Sequence, residues 1–161
     1  MLALREGAAK IARIRQLVEQ RMAADRRLQR LMRQVRMVET SDGVQIDLVD
    51  DADFSMFALG TTILTDEARA LLGLIGARIA QDRGRLAVRG HTDALPYRPG
   101  ARVNNWSLSA GRAEATRQAL LSEGVAAARF RRIEGVAETE PLIGGDPADP
   151  RNRRISILLA D

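Results

Sequence analysis

The sequence predicts an α/β fold (an α+β sandwich): a mixed β-α-β-α-β-β sheet with helices packed on it, preceded by a long N-terminal amphipathic helix. Three observations carry this. Residues 4–38 hold no proline and a single glycine, with apolar residues at helical spacing. Two stretches, Val44-Ile46-Leu48 and Ile155-Ile157-Leu159, alternate apolar and polar positions as half-buried strands do. Between them, strand-like and helix-like stretches follow one another, an order that layers helices on a sheet.

Laid on a heptad, one seam of the N-terminal segment reads Leu4, Ile11, Val18, Asp25, Met32, and the other Gly7, Ile14, Arg21, Leu28, Val35. The pattern predicts one helix of about 50 Å at 1.5 Å per residue. Its stripe meets a partner helix or the domain, and self-association is the expected use, because a seam this long is costly to leave bare. Residues 1–40 are thus read as a stalk and 41–161 as the globular domain.

Ser41-Asp42-Gly43 is a turn signal opening the first strand. "DFSMFALGTTIL" is an apolar connection, and Thr65 is an N-cap, with Asp66 and Glu67 in the first turn where the helix dipole favours negative charge. Leu71, Leu72, Leu74, Ile75 and Ile79 mark the buried face of that helix. Strand 85–90 follows. A second helix is expected from about Ser109, as N-cap, to Glu123, with Gly124 as its left-handed stop. Residues 129–136 read as a strand, "AETEPLIGGDPADP" as a loop, and "RRISILL" as the last strand.

Composition narrows the function. Hydrophobic residues make up 45% of the chain, enough for a core, and aromatics only 3%, so Leu, Ile, Val and Ala must build it. Without cysteine there is no disulfide, thiolate chemistry or Cys-ligated zinc, and one histidine cannot form a multi-histidine metal site. No metal and no cofactor is expected. Residues 1–37 carry ten basic and three acidic residues, whereas the remainder carries 15 and 18. The basic character therefore belongs to the N-terminal segment, and a nucleic-acid-binding core is not expected. No apolar run approaches the ~18 residues of a membrane span, and the N-terminus has no signal-peptide core.

The candidate site lies where strand 85–90 meets the next helix. His91-Thr92-Asp93 falls at the carboxyl end of that strand, the edge where ligands bind in open α/β sheets. A helix starting at Ser109 places Arg112 in its first turn, where a cation has the wrong sign for the dipole unless it has other work. With free backbone N–H groups nearby, Arg112 would grip a carboxylate, and Asp93 would accept from an ammonium. Such a pair suits a ligand bearing both an acid and an amine. The same pair also reads as an ion pair closing the loop, and both readings stand. His91 reads as a structural hydrogen-bonding residue, Trp106 as a packing anchor, and "NRR" at 152–154 equally well as edge charge. No second carboxylate or Ser–His pairing supports catalysis.

These residues also carry a family resemblance. "GHTD" at 90–93, Asn105, "LS" at 108–109, "RA" at 112–113 and "NRRI" at 152–155 together resemble the OmpA-like peptidoglycan-binding domain, over about residues 44–160. "NNWSLSAGRA" and "GHTDALP" resemble the MotB-like branch, which anchors flagellar stators. The resemblance implies a non-catalytic module in which Asp93 and Arg112 hold the diaminopimelate of the cell-wall stem peptide. It places Thr92 and Asn105 at supporting positions, and Arg154 among the ligand-binding residues. It further implies a homodimer, a MotA-like membrane channel subunit as partner, a periplasmic location and an upstream membrane helix. The other family reading is an OmpA-like wall tether of a secretion or Tol-Pal-type system. Gly111 departs from the alanine common in the family, and the insert Tyr97–Arg102 is not family-specific. A rival from another class has the basic helix bind acidic lipid, nucleic acid or a protein partner.

Overall fold

The computed structural model describes residues 2–23, 25–95 and 104–160. Among the described residues five strands form one mixed sheet: β1 (Val35–Thr40), β2 (Gly43–Val49), β3 (Arg85–His91), β4 (Phe130–Gly135) and β5 (Arg154–Ala160), in the spatial order β1-β2-β5-β3-β4. Only β3 and β4 pair in parallel, through a crossover that contains a helix; the other pairs are antiparallel. The helices are α1 (Leu2–Met22), the short α2 (Arg26–Leu31), α3 (Asp66–Ile79) and α4 (Asn105–Ser122). The alternation foreseen for β2 and β5 sets the core. Val44, Ile46 and Leu48 line up with Leu159, Ile157 and Ile155, and these meet Leu71, Leu72, Ile75 and Ile79 of α3.

The N-terminal segment differs from the single helix expected over 4–38. The helix ends at Met22, Asp25 caps a new one by accepting from Arg27 N–H at 2.9 Å, and residues 35–40 pair with β2 as an edge strand. The expected boundary at residue 40 therefore falls at the tip of the β1–β2 hairpin. The seam is not left for a second chain either. Ile14, Val18 and Met22 are buried against the protein's own α3 and β1. The physical reason is packing: this sheet and α3 offer an apolar surface at once, without the entropy cost of association.

Helix ends follow their caps. Thr65 Oγ1 accepts from Ala68 N–H at 3.2 Å, as expected. The cap of α4, however, lies five residues before Ser109. Asn104 is its N-cap, closed by a reciprocal pair in which Ser107 N–H donates to Asn104 Oδ1 at 2.9 Å and Asn104 N–H donates to Ser107 Oγ at 3.0 Å. At the far end Gly124 has φ +96°, a left-handed stop. The insert 97–102 lies outside the described residues.

Candidate functional site

The site is built where α4 lies directly on the ends of β3 and β4. A Cβ on Gly90 would stand 2.1 Å from Ser109 O, and one on Gly135 would stand 2.3 Å from Ala110 N. Only glycine allows the helix backbone this close. Ser109 Oγ then accepts from Ala137 N–H at 3.1 Å. Ala137, left-handed at φ 51°, in turn accepts from Thr92 N–H at 2.9 Å. The chain of contacts fixes the loop that carries Asp93.

Asp93 is buried, at 6% exposure, and Arg112 likewise, at 7%. The cation holding Asp93 is Arg153: its Nη1 donates to Asp93 Oδ2 at 2.8 Å, and its Nε donates to Asp50 Oδ2 at 3.1 Å. Asp50 also accepts from Met56 N–H at 2.9 Å, and burial pushes its carboxyl above the usual aspartate range against the pull of Arg153 and Arg112. Arg112 donates from Nε to Thr61 O at 2.9 Å and stacks over Phe57, with its guanidinium carbon 5.0 Å from the ring centroid. Asp50, Phe57, Arg112 and Arg153 line one small cleft. Two carboxylates and two guanidiniums thus meet at the carboxyl end of β3. Such an arrangement can exchange its internal pairs for those of a zwitterion without a large change in net charge.

The expected residues find different places. Because α4 begins at Asn105, Arg112 sits in its third turn and is held by packing and by the 57–64 loop, not by a helix terminus. Asn105, the first residue after the cap, clamps the loop: its Nδ2 lies 3.3 Å from Asp93 O, Leu95 O and Glu138 Oε2. Thr92 is buried, and its hydroxyl donates to Asp93 O at 2.9 Å. Arg154 borders the same cleft, as does His91, but its guanidinium turns away from Asp93. It donates to Asn152 O at 3.2 Å and Glu140 O at 2.7 Å, and belongs to a polar cluster on the sheet face away from the helices. There Ser156 Oγ donates to Asp47 Oδ1 at 2.6 Å and lies 3.2 Å from His91 Nε2. With the serine proton committed to Asp47, His91 must donate from Nε2, which makes it a structural residue. Burial first, then Arg154 and Arg89, push its pKa down to about 3.

Trp106 is not a packing anchor: 55% of it is exposed. Gly111, foreseen to loosen the helix, instead makes room for Thr62, whose Cγ2 would stand 2.8 Å from an added Cβ. Two site residues escaped the sequence reading. Asp50 is signalled only by ending the β2 pattern, and Arg153 only by its place beside Arg154. Asn152, also unassigned, ties down the loop before β5: its Oδ1 accepts from Ile143 N–H at 2.7 Å and its Nδ2 donates to Asp146 O at 2.9 Å.

Residues 56–154 match the model of the OmpA family. Motility protein B of Escherichia coli K12 is 30% identical over 152 residues, which is 94% of this chain and 49% of that protein. The chain therefore spans about half the length of the motility relatives it matches. Among solved structures, a MotB-like protein from Desulfovibrio vulgaris superposes with a TM-score of 0.74 at 21% identity, over 97% of each chain. The cell wall anchor of the type VI secretion system of Pseudomonas aeruginosa gives a TM-score of 0.68 at 26% identity, over 89% of this chain and 97% of that one.

Proposed function

The chain belongs to the OmpA family, and on that footing we propose that it is a non-catalytic peptidoglycan-binding anchor, the wall-attached part of a flagellar stator unit. The observation that carries this is the balanced charge group of Asp50, Asp93, Arg112 and Arg153 at the carboxyl end of β3. Diaminopimelate in a stem peptide presents a free amine and a free carboxylate on one carbon. Asp93 receives the amine, Arg112 the carboxylate, Thr92 and Asn105 hold the loop in register, and Arg154 stiffens the sheet behind it. Binding, not turnover, is the work of this site, since a histidine held neutral down to about pH 3 is a poor acid or base near neutrality.

The direction of the chain supports an anchor. Helix α1 begins beside Glu39, with Gly7 against its side chain, and Glu39 lies at the end of the sheet opposite the candidate site. Any segment leading into α1 therefore approaches from the pole away from the wall ligand. In this reading the domain is periplasmic, the full-length protein is held in the inner membrane beside a MotA-like channel subunit, and two copies act together. No helix among the described residues is long and apolar enough to cross a membrane.

The protein should sediment with purified sacculi, and Asp93→Asn or Arg112→Ala should release it. Retention of both variants refutes the site. The likeness to a secretion-system wall anchor favours a second reading, a tether of another envelope machine. The native sequence upstream decides between them: one membrane span bearing a single acidic residue marks the motor, and a lipid-modified cysteine marks a lipoprotein tether.

A further inference from the structure

Trp106 is the only tryptophan of a chain with five aromatic residues, yet 55% of it faces solvent. Phe54 and Phe57 are buried, as expected when so few large rings are available for the core. Leaving the largest one outside gives up apolar burial that this domain has little other means to replace. The position is also specific. Trp106 follows Asn105, whose amide reaches the carbonyls of Asp93 and Leu95, and Leu95 is itself 56% exposed. Two exposed apolar side chains therefore border the loop that carries Asp93.

Resting on the wall-binding reading, we infer that Trp106 is a stacking platform for an amino-sugar of the glycan strand, so that the module recognises a sugar together with its stem peptide. The axial spacing fits. Six residues of α4 separate Trp106 from Arg112, about 9 Å along the helix at 1.5 Å per residue, with Trp106 turned about 120° from Arg112 toward the exposed side. In the ligand, two stem residues lie between the diaminopimelate and the sugar, about 7 Å of extended chain at ~3.4 Å each. With its diaminopimelate at Asp93 and Arg112, the stem runs toward the start of α4 and brings its sugar to the first turn. The chemistry fits as well. One face of a pyranose carries axial C–H bonds, slightly positive, and these meet the negative face of an indole. Asn105, the residue before Trp106, and Glu138, bonded to each other at 3.3 Å, offer amide and carboxylate partners to sugar hydroxyl and acetamido groups.

Because Trp106 is the sole tryptophan, its emission reports the contact directly. The test titrates the intact protein with a disaccharide-tripeptide containing diaminopimelate and, separately, with the same tripeptide lacking sugar. The disaccharide-tripeptide should shift the emission to shorter wavelength and bind about three- to tenfold more tightly than the bare peptide, the range of an aromatic contact. By calorimetry, Trp106→Ala should reduce its affinity to that of the bare peptide, and Trp106→Phe should restore most of the difference. Asp93→Asn should weaken both ligands. Tight binding of both ligands with unchanged emission, and with Trp106→Ala without effect, overturns the platform and leaves the peptide site standing. Binding of neither ligand by the wild-type protein overturns the wall-binding reading, and the platform with it.

Discussion

Arg153 holds Asp93 by a 2.8 Å ion pair, joining the residue before β5 to the residues just past β3. The same guanidinium reaches Asp50 beyond the end of β2. Three strand ends are thus closed by one planar, five-donor group, which a lysine cannot imitate.

Removing that group should cost more than any surface charge. Arg153→Met leaves Asp50 and Asp93 without their bridging cation and should destabilise the fold by about 3–5 kcal/mol, as breaking buried pairs does. Arg153→Lys should recover only part. The pH trend identifies the cause. Asp50 has its folded pKa raised by burial, so its cost is full above that pKa and absent below the ordinary aspartate value of 3.8. The deficit of Arg153→Met in urea denaturation should therefore shrink as pH falls toward 4. A deficit that stays constant would locate the damage elsewhere.

His91 makes the opposite pH signature. Its folded pKa of about 3 lies below the ordinary 6.5. Above pH 6.5 neither the folded nor the unfolded state is protonated. Below it the unfolded chain takes a proton that the fold refuses, and stability falls by up to about 1.4 kcal/mol per pH unit until pH 3. His91→Gln should remove this slope between pH 6.5 and 4, whatever it costs at pH 7. Parallel stability curves for the two proteins would contradict the assignment.

Gly135→Ala drives a methyl against Ala110 N and Ser109 Oγ. The atoms in the way are helix backbone as well as side chain, so α4 must lift. A loss of about 3 kcal/mol or more is expected, at the upper end of overpacking costs. Wall binding should fall in the same variant under conditions where it remains folded, because α4 carries Asn105 and Arg112. Thermal melting and sacculus sedimentation measure the two effects.

On the outer side of α4, Arg117 donates to Glu114 at 2.6 and 2.7 Å and holds its pKa at about 2. That contribution is present above the ordinary glutamate value and is lost as pH falls toward 2. Carboxyl NMR titration of Arg117→Ala should move Glu114 up toward 4.5, short of it by the share that the Gln118 hydrogen bond still supplies. The pair is solvent-exposed, so stability at pH 7 should change little.

Much of the scaffold could be read from local rules. Thr65 caps α3, Gly124 stops α4, and the alternation in β2 and β5 marks the core face. These features depend on neighbours within a few residues. Strand β1 escaped because Val35 also completes the heptad seam; what makes "VRMVET" a strand is a hairpin with β2, and pairing energy lies outside the segment itself. The start of α4 was misplaced because Asn104, Ser107 and Ser109 are all good caps, and the reciprocal bond between the first two decides.

The charges at the site were half legible. Asp93, Thr92 and Asn105 fall together at the strand end and the helix start, where the pattern put them. Arg153 and Arg154 are adjacent at the start of a strand, so they point to opposite sides of the sheet, and only the register shows which one joins Asp93. Asp50 needed the same knowledge, since its partner is 103 residues away in sequence.

The placement of the start of α1 and the loop carrying Asp93 at opposite poles has a mechanical corollary. A pull between the two runs along the strands, so the rungs linking β2 to β5 and β5 to β3 are loaded in shear and must yield together, whereas a sideways pull would open them one at a time. A device tethered at one end and tugged at the other is strongest in this orientation.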